Sequence, residues 1–141
     1  MLAAVFGFKR AAIGGLALVL SSLGLAQTGA ALRSGEQVYR ETCSACHGAG
    51  LANAPRFGDK AAWRKLIAEG QHVLTAHAWV GVRGMPPKGG RADLSLEEFA
   101  RGAAWMARAA GADWQDPNPG MMARIRAEEK KRLDDVNKKR R

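Results

Sequence analysis

The chain has 141 residues and a mass of 15.1 kDa, enough for one domain and too little for a large two-domain enzyme. Its composition, 47% apolar and 25% charged, is that of an ordinary globular protein, and two cysteines exclude a disulfide-rich scaffold. The charge is less ordinary: 22 Lys and Arg against 13 Asp and Glu give +9, which leaves nucleic acid, acidic proteins and anionic membranes open as partners.

Residues 1–30 read as a signal peptide or N-terminal anchor. Lys9 and Arg10 precede a charge-free stretch of 16 residues, Ala11 to Ala26, that only Ser21 and Ser22 interrupt. Small residues follow at Gly24, Ala26, Gly29, Ala30 and Ala31, so cleavage is expected after Ala26 or, second, after Ala30. The run is shorter than the ~20 residues of a spanning helix. An uncleaved anchor that also uses the apolar residues Met1 to Phe8 is the competing reading. Both place the folded part outside the cytoplasm.

Ser34 with Gln37 forms a capping box and opens a helix that carries Val38 and Tyr39 into Cys43. A Gly- and Pro-rich loop runs from Gly48 to Gly58. Asp59 caps a second helix with Trp63, Leu66 and Ile67 on one face and Gly70 at its end. Gln71 to Val80 reads as a third, with Val73, Leu74, Ala78 and Val80 apolar. Gly81 to Gly90 holds two prolines and four glycines and reads as a loop. Ser95 with Glu98 is a second capping box. It starts the clearest helix, where Leu96, Phe99, Ala103, Met106 and Ala110 form a stripe at helical spacing. No segment alternates with period two, so the reading is an all-α domain over residues 34–111. Residues 112–120, with Pro117 and Pro119, read as a linker. Residues 121–141 hold nine basic and four acidic residues with a thin apolar stripe, and read as a marginal helix or disorder.

The chemistry lies in Cys43-Ser44-Ala45-Cys46-His47. Two thiols three residues apart with an adjoining imidazole form the haem-attachment pattern. One turn of chain brings both thiols to one porphyrin edge for addition to the vinyl groups, and the histidine becomes an axial ligand. Three other uses of the pair remain open at this point. A thioredoxin-like dithiol expects a βαβ setting. A zinc site wants four ligands, and only His72 and His77 remain. A local disulfide suits an oxidising compartment.

A haem bound by His and Met is the electron-transfer arrangement. Of the five methionines, Met1 lies in the leader, Met106 in the apolar stripe, and Met121 and Met122 in the charged tail. Met85 remains, in Gly84-Met85-Pro86-Pro87, where two prolines restrict the backbone. Surface or ordinary polar contacts are the expected role of His72 and His77, and packing that of Trp79 and Trp114.

Gly35, Tyr39, Cys43, Cys46, His47, Pro55 and Met85, followed by a helix with Trp105 and Met106, resemble a monohaem class I c-type cytochrome. The segments Ala54 to Trp63 and Gly84 to Gly90 are similar to the bacterial cytochrome c-five type. The resemblance spans roughly Ser34 to Arg108. It departs at Trp105, where such proteins often carry Tyr, and in the longer tail. It implies the small class I cytochrome c fold, three to five helices wrapped around one covalently attached haem c. It implies thioether links at Cys43 and Cys46 and axial ligands His47 and Met85. Gly35 and Tyr39 pack against the last helix near Trp105, and the Pro55 carbonyl bonds the second ring nitrogen of His47. Arg56 and Trp63 either approach the haem propionates or are a solvated arginine and a core tryptophan.

Two protein ligands leave no open iron position, which favours outer-sphere electron transfer over catalysis. The expected function is a periplasmic electron carrier, soluble or tethered by an uncleaved N-terminus, that meets acidic redox partner proteins through Lys60, Lys65, Lys88 and Arg91. The basic tail has an anionic membrane surface as a further expected partner. Nucleic acid is not expected for an exported chain. The alternatives are a haem subunit of a larger oxidoreductase, docked through the tail, and a non-haem thiol or metal protein.

Overall fold

Ser34 starts the first helix. Its hydroxyl accepts from the Gln37 backbone N–H at 3.2 Å, and the Gln37 side chain accepts from the Ser34 N–H at 2.8 Å. The computed structural model describes residues 31–141, so the leader reading lies outside the described residues. The helix continues over residues 35–47 as α1 (Gly35–Val38), a π turn (Tyr39–Cys43) and α2 (Ser44–His47). Next come α3 (Lys60–Ala68), α4 (Gln71–Val80), α5 (Leu96–Ala109) and α6 (Pro119–Lys139), with 3-10 turns at Leu51–Asn53 and Pro87–Gly90. Among the described residues there is no strand, only an isolated bridge between Val82 and Met85. No described helix is long and apolar enough to cross a membrane.

Helices α1 and α5 cross through two glycines. A Cβ on Gly35 would lie 2.4 Å from the Arg101 carbonyl oxygen, and one on Gly102 would lie 2.7 Å from Val38 Cγ1. The absence of both side chains lets the backbones approach. The α5 stripe is buried at every expected position, Leu96, Phe99, Ala103, Met106 and Ala110. In α4 the fully buried positions are Gln71, Thr75, Ala76 and Trp79, while Val73, Leu74, Ala78 and Val80 are half-buried. Of the polar members of that set, Gln71 donates through Nε2 to the Gln115 carbonyl at 2.8 Å, while Thr75 Oγ1 has no partner among the described residues.

The segment expected as a linker and a solvated tail is built differently. Trp114 is buried against Ala104 and Ala107, its carbonyl accepts from Arg108 at 3.1 Å, and Arg108 also holds Asp116 at 3.0 Å. Asn118 caps α6 by accepting from the Met121 N–H at 2.8 Å, and Pro119 occupies the first turn, where its missing N–H costs nothing. Met122 and Ile125 are buried in the main core. The thin apolar stripe is supplemented by two polar anchors to α4, Glu128 to His77 Nε2 at 3.3 Å and Glu129 to Trp79 Nε1 at 2.7 Å. Residues 31–141 thus form one compact unit.

The start of the described residues is held by an ion pair that local patterning did not signal. Arg33 reaches Glu98 through Nε at 3.0 Å, Nη2 at 3.1 Å and its backbone N–H at 3.1 Å, while Ser95 donates to the same carboxylate. These donors hold the Glu98 carboxyl down at about 2, against an ordinary 4.5. A depressed carboxylate stabilises the fold above its ordinary value, and that stabilisation is lost as pH falls toward the lower one. Glu98→Gln keeps the capping box but loses the ion pair, at a cost of about 1–3 kcal/mol at neutral pH. Denaturant midpoints of wild type and variant should converge as pH drops from 4.5 to 2; a constant difference across that range would contradict the assignment.

Candidate haem site

The attachment pair sits at the end of the first helix. The π turn inserts one extra residue per turn just before Ser44, whose N–H donates to the Tyr39 carbonyl. Cys43, Cys46 and His47 then line one cavity of about 390 Å³. Both cysteines are free, and burial pushes the Cys43 thiol up to about 11. The walls are mainly apolar, supplied by Leu66, Leu74, Ala78, Phe99, Ala103 and Met106. Thr42 also lines it, and its buried Oγ1 has no partner among the described residues.

His47 is buried, and its Nδ1 lies 2.8 Å from the Pro55 carbonyl. With Nδ1 as the donor, Nε2 keeps its lone pair for a metal. The loop carrying Pro55 turns through left-handed backbone at Gly50, Ala52 and Asn53 (φ 79, 51 and 62). For alanine this is a strained conformation, of the kind held only where surroundings demand it. Pro55 also lines the cavity. Trp63 is buried with its ring 6.1 Å from that of His47, and its indole N–H donates to the Arg56 carbonyl at 2.8 Å. Arg56 is exposed and does not line the cavity, as the solvated alternative has it, whereas Trp63, though buried, does line it. Tyr39 stacks on Phe57 with ring centroids 4.3 Å apart.

Met85 lines the same cavity from the loop after α4. Its N–H and carbonyl both bond Val82, at 2.9 and 3.1 Å, and Arg83 between them is left-handed (φ 53). Met106 is the other methionine in the wall; Met121, Met122, His72 and His77 do not reach it. His77 instead lies between Glu69, at 3.9 Å, and Glu128. Among the described residues no cluster of three or more His, Cys, Asp or Glu could hold a bare metal ion.

Of the four cations expected at the exposed edge, the structure commits two elsewhere. Arg91 holds Asp93 at 2.9 Å, and Lys88 lies over the Trp79 ring at 5.1 Å. Lys60 stands beside Gly111. Lys65 joins Arg56 and Arg83 along an open groove that shares Asn53, Ala54 and Pro55 with the cavity rim.

A family described as cytochrome c oxidase, cbb3-type, subunit III matches residues 30–106. Cytochrome c5 of Azotobacter vinelandii is 47% identical over 73 residues, which are 50% of this chain and 88% of that protein. The chain belongs to the monohaem class I c-type cytochromes. Cytochrome c-555 of Chlorobaculum tepidum is 38% identical over 103 residues, 70% of this chain and 93% of its relative. The cytochrome c in a crystal structure of an electron transfer complex with nitrite reductase is 42% identical, with a TM-score of 0.52 over 54% of this chain and 93% of the other. The cytochrome therefore has the small all-α class I fold and carries one covalently bound haem c. It is an electron carrier and not an enzyme.

The residues present fit that group. The cavity offers two thiols, a buried imidazole with one nitrogen already engaged, a thioether and apolar walls. The Thr42 hydroxyl, the π turn and the Phe99 wall join the site through their position in the fold and carry no mark in the sequence.

Proposed function

We propose that this cytochrome is an exported, periplasmic one-electron carrier whose haem is linked through Cys43 and Cys46 and ligated by His47 and Met85. The observation that supports it best is the convergence of these four side chains on one apolar cavity, with His47 Nδ1 held by Pro55 at 2.8 Å. The bound haem supplies ferric–ferrous exchange, and a thioether ligand raises its potential. The chain's own part is to fix both ligands so that little reorganises between the two oxidation states. The Val82–Met85 bridge and Pro86–Pro87 hold the thioether, and Pro55 holds the imidazole. The apolar walls exclude water, while Leu51, 62% exposed and part of the lining, marks where the cavity opens to a partner.

The groove with Arg56, Lys65 and Arg83 favours an acidic surface on the partner, so association should weaken with salt. The nitrite reductase complex of the relative makes a reductase of that kind one candidate partner. The exposed basic residues of α6, among them Lys138 and Lys139, suit an anionic membrane as a further contact, at ~1 kcal/mol per residue. A second reading draws on the matched family's description: a haem subunit of a larger oxidase, docked through α6. Salt-resistant co-purification with a partner would favour it.

The test is the visible spectrum of protein made with haem-attachment machinery, followed by acid–acetone extraction. A sharp reduced α-band and colour that stays with the chain are expected. A colourless chain would return Cys43 and Cys46 to thiol or metal chemistry.

A further inference from the structure

Helix α6 begins beyond residue 106, where the family match ends, yet it packs on α4, against whose end the loop of Met85 rests. We propose that Glu129 of α6, acting through Trp79, is a positioning residue for that loop; the inference rests on Met85 as the axial ligand.

Trp79 is buried near the end of α4, and its indole N–H is a donor that must find an acceptor. Glu129 Oε1 accepts it at 2.7 Å, a charge-assisted bond of the stronger kind. With that edge fixed, the ring makes two further contacts. Phe99, part of the cavity wall, meets it edge-on, with centroids 5.3 Å apart at 66°. Lys88 Nζ lies 5.1 Å from its centroid, within the range of a cation–π contact. The carboxylate on the indole edge adds negative potential to the ring and so strengthens its hold on the ammonium.

Lys88 belongs to the turn that follows Met85. Lys88 and Gly89 are both left-handed (φ 57 and 64), and a Cβ on Gly89 would lie 4.0 Å from Met85 Cε and 3.9 Å from Phe99 Cε2. A Cβ on Gly81, at the end of α4, would lie 3.2 Å from Pro87 Cδ and 3.3 Å from the Met85 carbonyl oxygen. The Met85 loop therefore rests on the end of α4, and the Trp79 ring touches both its turn and its wall. Glu129 sets the ring.

The experiment uses ferric holoprotein and imidazole, which competes with the Met85 thioether, read by loss of the far-red charge-transfer band. In Glu129→Ala the imidazole affinity should rise about tenfold. Glu129→Gln keeps an acceptor oxygen and should recover most of the wild-type value. Trp79→Phe should match Glu129→Ala, and the double variant should add nothing further. Glu128→Ala, which loses the neighbouring anchor to His77 on the same helix, should stay within about twofold. Equal effects of Glu128→Ala and Glu129→Ala would reduce Glu129 to a general support of α6 and overturn the inference. A band lost in Met85→Ala together with unchanged imidazole affinity in Glu129→Ala would overturn it while leaving the ligand intact. A wild-type protein without the band would remove the ligand and the inference together.

Discussion

Met85→Ala holoprotein should lose the far-red charge-transfer band and fall in potential by on the order of 0.1–0.3 V, within the ~0.8 V that axial ligands command. The sulfur is a soft donor that favours ferrous iron, so its removal stabilises the ferric form. The structure leaves few replacements. His72, His77, Met121 and Met122 do not line the cavity, and Met106, which does, is buried in the α5 stripe. Met106→Leu is close in volume and should keep the band, at a cost below about 1.5 kcal/mol in stability. A band that survives in Met85→Ala and vanishes in Met106→Leu would transfer the ligand role to α5. Redox titration and ferric spectra of the two variants decide between them.

The haem-free chain, made as Cys43→Ala/Cys46→Ala, should keep much of its helix and lose its fixed tertiary packing. Without the haem an apolar cavity of about 390 Å³ stands open between the helices, and the side chains that line it lose the apolar group they pack on. A small domain has a net stability of only about 5–15 kcal/mol with which to absorb that loss. Local signals survive, since the Ser34–Gln37 and Ser95–Glu98 boxes and the Asp59 cap need no haem. The expected state has native-like far-ultraviolet dichroism, lost near-ultraviolet dichroism and dye-accessible apolar surface. A cooperative thermal transition with native near-ultraviolet signal in the haem-free chain would contradict it.

What the sequence discloses and what it hides divide by range. Caps are local, so Ser34, Asp59 and Ser95 announce their helices within three residues. The α5 stripe is legible because one face of a regular helix meets the core. The bond from His47 to Pro55 spans eight residues and came from the family resemblance, not from any pattern in the composition. The docking of α6 was hidden because only Met122 and Ile125 are fully buried on it, and its polar anchors contact Trp79 and His77 about 50 residues away. Trp114 packs as its residue type suggests, but its partners Ala104 and Ala107 carry no mark in the sequence, since any helix could present them. The Arg33–Glu98 pair joins residues 65 apart, and nothing near Arg33 marks its partner. Two of the expected edge cations have neighbours that no local pattern marks: Arg91 pairs with Asp93, and Lys88 keeps its charge over the Trp79 ring.

The central claim, a haem carrier that moves single electrons, is tested most directly by a spectro-electrochemical titration of the purified holoprotein. The account predicts one wave with a slope of about 59 mV per decade, tracked by the haem bands and well positive of the dithiol range near −270 mV. A wave of about 30 mV per decade in the dithiol range, with no change in the visible spectrum, would show two-electron chemistry at Cys43 and Cys46 and contradict it.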